Sequence, residues 1–343
     1  MAGHTKIWLC ILACALALAS PPLAAASSYT VVVLPDTQNY TDTPAYNHQF
    51  SAQTQWIIDN RAAENIVFVS HEGDLVQQGA MPSQWAVAVP AMDTLAAAGD
   101  LPYSAAIGNH DYDALDTMTK DAATAYRSHF GPARYAGDGW YGGSSPNETN
   151  HWQMFDGAGR AFLHLALEWR PDAAAMTWAQ GVIDTNPGTP TIITTHENLK
   201  HENDLDTVGP VHHTTEGQAL FDTLVAPNDQ IFMVLSGHWF GEGMLTSTNH
   251  AGNDVVEMLA NYQMRANGGD GWLRLITFEP DENEIEIYTY SPTLDEYEID
   301  ADSRFTISMS FDERLGPDAV PEPAGLALIG AALLALRRRR TAD

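Results

Sequence analysis

Short runs of apolar, mostly β-branched residues recur along the chain: TVVVLPD (30–36), NIVFVSHEGD (65–74), LPYSAAIGNHD (101–111), FLHLALEW (162–169), TIITTHE (191–197) and IFMVLSGH (231–238). Their length and polar boundaries predict buried strands. Between them the apolar positions fall at helical spacing. Residues 84–98 place Trp85, Ala88, Met92 and Leu95 on one face, residues 172–183 follow the capping pair Pro171-Asp172, and 216–225 form a third helix candidate. Strand alternating with helix indicates an α/β domain around a largely buried sheet. The stretch 271–290, GWLRLITFEPDENEIEIYTY, predicts a hairpin about Pro280–Asn283. Residues 131–150 are rich in Gly and Ser and read as a long loop.

The strands end alike. One closes on Asp36, one on Gly73-Asp74, one on Gly108-Asn109-His110-Asp111, one on His196 and one on Gly237-His238. In an α/β sheet the carboxyl ends of parallel strands share an edge, and ligands bind there. Turn chemistry accounts for Gly, Pro, Ser and Asn at such places, and gives no excess of histidine. Asp, Asn and neutral His are the oxygen and nitrogen donors that suit Mn²⁺, Fe and Zn²⁺. Two such ions about 3.5–4 Å apart can clamp a phosphoryl group.

The ends of the chain carry a different message. Lys6, the apolar run Ile7–Leu18 and Ala24-Ala25-Ala26 make residues 1–26 a cleavable export signal. Both cysteines, Cys10 and Cys14, fall within it. The domain that follows, residues 27–316, is thereby denied disulfides, iron–sulfur clusters and thiolate zinc. In residues 317–343, Val320-Pro321-Glu322-Pro323 precedes the apolar Ala324–Leu336 and four arginines, Arg337–Arg340. This order resembles a bacterial PEP-CTERM sorting signal. The resemblance implies signal peptidase and an exosortase-type enzyme as partners, transient insertion in the inner membrane, and delivery to the cell surface or extracellular matrix. With 16 basic and 44 acidic residues the net charge is −28, which argues against a basic nucleic-acid-binding face.

The ordered set Asp36-x-Gln38, Gly73-Asp74, Gly108-Asn109-His110-Asp111, His196 and Gly237-His238 resembles the calcineurin-like metallophosphoesterases. Their pattern is Asp-x-His, Gly-Asp, Gly-Asn-His-Asp/Glu, His, then Gly-His-x-His. LPDTQNY and NYQMRANGGDGWLRL (261–275) are similar to a secreted bacterial branch with Asp-Thr-Gln in the first motif. The resemblance implies a four-layer α-β-β-α sandwich of two mixed sheets flanked by helices. It also implies two divalent ions (Mn, Fe or Zn) and hydrolysis of a phosphomonoester or phosphodiester substrate by metal-activated hydroxide. By position, Asp36 would hold the first ion and Asp74 would bridge both. Asn109, His196 and His238 would complete the second site. His110 would protonate the leaving oxygen, with Asp111 orienting its ring.

Two positions depart from that pattern. Gln38 and Phe240 stand where the first site would have imidazoles. A glutamine oxygen binds a transition metal more weakly than imidazole does, and a phenyl ring cannot bind one. Glu242 is a candidate stand-in. The expectation is one tight ion and one loose, exchangeable one. The same losses leave a second reading open: a non-catalytic metal-binding surface or matrix protein. Arg265 is a candidate phosphate contact, and Tyr135, Trp140 and Tyr141 are candidates for the substrate mouth. His71 is expected to pack on the sheet or bind backbone, and His201, His212 and His213 to be exposed. There is no Gly-x-Ser-x-Gly elbow, Walker loop or Gly-x-Gly-x-x-Gly after the first strand.

Overall fold

The computed structural model describes residues 28–114, 122–205 and 207–316. The export and sorting segments, 1–26 and 317–343, lie outside the described residues. Among the described residues no helix is long and apolar enough to cross a membrane.

Two mixed sheets stack face to face. The first holds β1 (Tyr29–Leu34), β2 (Ile66–His71), β3 (Tyr103–Ala105), β13 (Leu273–Glu279), β14 (Glu284–Ser291), β15 (Glu296–Tyr297) and β16 (Phe305–Ser308). The second holds β4 (Tyr141–Ser144), β5 (His151–Gly157), β6 (Arg160–Leu167), β7 (Thr191–Thr195), β10 (Ile231–Ser236), β11 (Gly241–Thr248) and β12 (Asp254–Asn261), while β8 (Leu199–His201) and β9 (Val211–His213) pair apart. The strand orders are β15-β14-β13-β1-β2-β3, with β16 on β14, and β11-β12-β10-β7-β6-β5-β4. Helices α1 (Gln38–Asp42), α2 (Asn47–Asn60), α3 (Pro82–Ala96) and α4 (Thr124–Phe130) lie with the first sheet, and α5 (Ala173–Thr185) and α6 (Thr215–Leu220) with the second. The short α7 (Phe311–Arg314) puts Phe311 between the sheets. This is the expected α-β-β-α sandwich.

Alternation on β1 shows why the strands read as unbroken apolar runs. Val31 and Val33 enter the core between the sheets, while Val32 and Leu34 enter the core under the helices. Both faces are dry, so both sets of positions are hydrophobic. Trp85, Ala88, Met92 and Leu95 of α3 meet the same outer core. Asp172 caps α5, accepting from the amides of Ala174 and Ala175 at 2.9 Å each. The third helix candidate is split between α6 and a turn of π-helix, Phe221–Val225. The hairpin expected at 271–290 forms as β13 and β14. The stretch 131–150 is not simply a loop: it contains the edge strand β4, paired antiparallel with β5.

A polar network is sealed between the sheets. His164 places Nδ1 3.1 Å from Gln153 Oε1 and Nε2 2.9 Å from Thr194 Oγ1, and Ser70 Oγ lies 2.8 Å from the same threonine. Burial pushes the His164 imidazole down to about 3, against about 6.5 in an unfolded chain. Between those values the unfolded chain binds a proton that the native one refuses, so stability falls as the pH drops from about 6.5. His164→Gln should make the pH slope of stability between 6 and 4.5 shallower by about 1.4 kcal/mol per pH unit. Urea unfolding across that range would measure it; an unchanged slope would refute the neutral buried imidazole.

Candidate metal centre

β1, β2 and β3 run parallel, as do β6, β7, β10 and β12. Their carboxyl ends therefore deliver side chains from both sheets to one end of the sandwich. Asp36 follows β1, Asp74 follows β2, Asn109 follows β3, His196 follows β7 and His238 follows β10. Asp74 and His238 both adopt left-handed backbone, with φ of +53° and +67°. Such conformations are uncommon for residues with a Cβ and gather at functional sites. Close approach also explains two glycines. A Cβ on Gly108 would stand 2.1 Å from Asp74 Oδ1, and one on Gly237 would stand 2.1 Å from Asp36 Oδ1.

Four donor atoms converge. His196 Nε2 lies 3.1 Å from Asp74 Oδ2, 3.1 Å from Asn109 Oδ1 and 3.2 Å from His238 Nδ1. Among the described residues, Asp74, His196 and His238 are the one group of three acidic or histidine side chains whose ligand atoms lie within 4.8 Å of one another. His196 Nδ1 is 2.9 Å from the Glu72 carbonyl, so that nitrogen carries a proton and donates. A neutral His196 then presents a lone pair at Nε2 toward three further acceptors. One proton there could serve only one of them, whereas a cation serves all four. The spacing fits too, because donors ~2.1 Å from a common ion stand roughly 3.0–3.4 Å apart. The residues present therefore suit a divalent metal.

The electrostatics reflect this crowding. Burial, reinforced by the charge of Asp74, raises the Asp36 carboxyl to about 7. Burial would lower His196, but Asp74 and then Asp36 lift it to about 10. Burial also works to raise Asp74, yet the facing His196 holds it below the usual carboxylate range. His238 falls to about 4 through burial and the neighbouring His196.

Several supporting residues escaped sequence reasoning. Asn261, at the end of β12, donates from Nδ2 to Asp36 Oδ2 at 2.9 Å and to the His238 carbonyl at 3.0 Å. It opens the 261–275 stretch that drew notice for Arg265. Glu197 accepts from Trp169 Nε1 and Arg170 Nε at 2.8 and 2.7 Å, and stands 3.7 Å from His238 Nε2. That carboxylate leaves His238 Nδ1 to face the centre. His71, as expected, binds backbone: its Nδ1 accepts from Gly73 N at 3.1 Å, and its Nε2 lies 3.0 Å from Thr37 Oγ1. It ties the loop of Asp36 to the loop of Asp74.

Other sequence expectations need correction. Asp111 does not orient His110; its two oxygens accept from Val76 N at 3.0 Å and Gly108 N at 2.9 Å. The His110 ring is set instead by the Gln77 carbonyl, 2.8 Å from Nδ1. Arg265 is no free phosphate contact, since it pairs with Glu242 at 2.8 Å and with Glu298. Glu242 is no stand-in ligand, because Arg274, Arg265, Tyr262, Thr289 and Ser303 all bond to it. Tyr135 is buried in the outer core. Trp140 lines a cleft with Asn65, Ile66, Pro102 and Ala161, at the amino ends of the strands, opposite the metal centre. His201 is buried and His213 pairs with Glu257 at 2.8 Å, so only His212 of that trio is exposed.

A sandwich of two mixed sheets with a buried Asp/His/His centre at its strand ends defines a metal-site protein of the phosphoesterase type. Residues 29–241 match the calcineurin-like phosphoesterases, and the chain belongs to that family. It is similar to the uncharacterized protein YvnB of Bacillus subtilis (strain 168), 31% identical over 309 residues, a match covering 86% of this chain and 22% of that protein. It therefore spans about a fifth of that relative's length. In fold it is similar to the purple acid phosphatase PPD1 of yellow lupin (Lupinus luteus). That match has a TM-score of 0.53 and 16% identity, and covers 87% of this chain and 57% of the lupin chain.

Proposed function

We propose that this chain is an exported phosphoesterase that hydrolyses phosphomonoesters or phosphodiesters with two divalent ions. The observation that carries the reading is the position of His110 beside the four converging donors. Its backbone amide donates to Asp74 Oδ1 at 2.9 Å, and its half-buried ring is pinned at Nδ1 by Gln77. Nε2 is the nitrogen that remains to pass a proton to a leaving oxygen. A protein that only held metal would have no use for that arrangement.

Asp74, Asn109, His196 and His238 would hold the tight ion, and Asp36, Gln38 and the shared Asp74 the looser one. When bound, the ions supply Lewis acidity toward phosphoryl oxygens and acidify water. The protein's own residues do the rest. Asn261 fixes the Asp36 carboxylate, Glu197 fixes the His238 ring, and His71 locks the two acidic loops together. Residues 1–26 and 317–343 supply the reading of export, C-terminal processing and a final place at the cell surface or matrix.

Hydrolysis of phenyl phosphate and of bis(p-nitrophenyl) phosphate, with and without chelator, tests the proposal. Turnover should vanish in chelator and return with Mn²⁺. No turnover on any ester with metal fully bound would favour the non-catalytic surface protein.

A further inference from the structure

Glu197, next in sequence to His196 and 1% exposed, is the hub of a cage around the His238 ring. Its Oε2 accepts from Trp169 Nε1 at 2.8 Å and Arg170 Nε at 2.7 Å. Its Oε1 accepts from Trp239 Nε1 at 3.3 Å and Arg170 Nη2 at 3.4 Å. Trp169 arrives just past β6 and Trp239 just past β10, yet both indole N–H groups end on this one carboxylate. Their rings also flank the same imidazole. The Trp239 ring centre is 5.2 Å from that of His238, nearly perpendicular at 82°, and the Trp169 ring centre is 6.1 Å away. Each indole is capped by a cation: Lys200 stands 5.0 Å over Trp239, and the Arg170 guanidinium 4.6 Å over Trp169. Arg170, like His238, has left-handed backbone, with φ of +51°. Such conformations persist where the surroundings over-determine them.

His238 Nε2 stands 3.7 Å from Glu197 Oε2, beyond hydrogen-bond reach. The carboxylate therefore acts on that ring by its charge and its place, and the indoles set the place. A negative charge at the Nε2 edge favours the tautomer with the proton there. The Nδ1 lone pair is then on the side of His196, whose Nε2 is 3.2 Å away. His196 is arranged the other way round, with its Nδ1 proton on the Glu72 carbonyl. We propose that Trp169 and Trp239 are positioning residues for the second ion: by fixing the Glu197 carboxylate they hold His238 as an Nδ1 ligand and set the affinity of the Asp74–Asn109–His196–His238 site. With an indole N–H removed, the carboxylate is free to turn onto Arg170, whose two nitrogens already bond it, and away from the ring. Phenylalanine at either position keeps an aromatic ring and loses the N–H, so the hydrogen bond and the packing are separable. The inference rests on the metal centre of the proposed function and not on turnover.

The test reads metal, not activity. Zn²⁺ affinity of the full-length protein is measured against a chromophoric chelator for wild type, Trp169→Phe, Trp239→Phe, the double variant and Glu197→Gln. Losing an outer partner of a metal ligand costs about 10–100-fold in affinity. Trp169→Phe, which removes the shorter bond, should fall in that range, and Trp239→Phe should lose less. The double variant should lose no more than Glu197→Gln, because both indoles act through one carboxylate. Unchanged Zn²⁺ affinity in Trp169→Phe and in Glu197→Gln would overturn the assignment and leave the indoles as packing. Long-range proton–nitrogen NMR of wild type with one equivalent of Zn²⁺ needs no variant. One liganding imidazole should bind through Nδ1 and the other through Nε2. Two imidazoles bound through Nε2 would overturn the proposal even if every variant failed to fold. The expected affinities and tautomers without ester hydrolysis would sink the phosphoesterase reading alone.

Discussion

Exchange of His110 for alanine is expected to lower turnover of phenyl or alkyl phosphate by about 10²–10⁴-fold, the range for loss of a positioned general acid. The same variant should lose far less on p-nitrophenyl phosphate, whose leaving group departs as a stable anion and needs no proton. Metal content should not change, because His110 touches the centre through its backbone amide on Asp74, which alanine keeps. Among the described residues the ring bonds the Gln77 carbonyl, so its removal strands one part-buried acceptor. Kinetics on the three esters, with metal counted on the same samples, would check this. Equal losses on good and poor leaving groups would mean that His110 binds the phosphate and does not protonate the leaving oxygen.

The second large effect is expected at Asp111, and on stability. Its carboxyl group is fully buried and accepts from the amides of Val76 and Gly108. These amides belong to the two loops that carry Asp74 and Asn109. Burial and the charge of Asp74 raise this carboxyl well above the usual range, yet protonated or not it remains the acceptor those amides have. Asp111→Ala strands two buried N–H groups at about 1–3 kcal/mol each, so a loss of roughly 2–6 kcal/mol is expected. Urea unfolding at neutral pH would measure it. A change within about 0.5 kcal/mol, the scale of a surface substitution, together with a shifted pH–rate profile, would restore Asp111 to orienting His110.

Both predictions turn on neighbours in space that are distant or silent in sequence, and the same divide runs through the whole reading. Strand ends were legible because each ligand sits one to four residues past an apolar run, where periodicity stops and chemistry begins. The helix α2 was not legible. It buries Gln49 and Gln53, whose side-chain amides donate to the carbonyls of Asn267 and Trp272 at 2.7 Å each, so its inward face does not register as apolar. The edge strand β4 hid in Tyr141–Ser144 because its two glycines lower strand propensity. Gly142 is needed there, since a Cβ would stand 2.2 Å from the Trp152 ring.

Arg265, Glu242, Tyr135 and Trp140 failed for one reason. Residue type suggests a capacity, but partner and position decide whether it is used. An arginine near an acidic cluster in three dimensions is consumed by it, and an aromatic at the wrong end of a strand cannot reach the centre.

By itself, then, the sequence determined the core strands β1, β2, β3, β6, β7 and β10, that they are largely buried on both faces, and which acidic, amide and histidine side chains stand at strand ends. These follow from local periodicity and from residue chemistry at fixed offsets. Only the tertiary structure decided that both sheets present those ends at the same edge. Only it paired Glu242 with Arg274, turned Asp111 to backbone amides, and set Asn261 upon Asp36. Hydrogen bonds and ion pairs between residues from about thirty to more than two hundred positions apart depend on how the sheets stack, and stacking is not written in any local pattern.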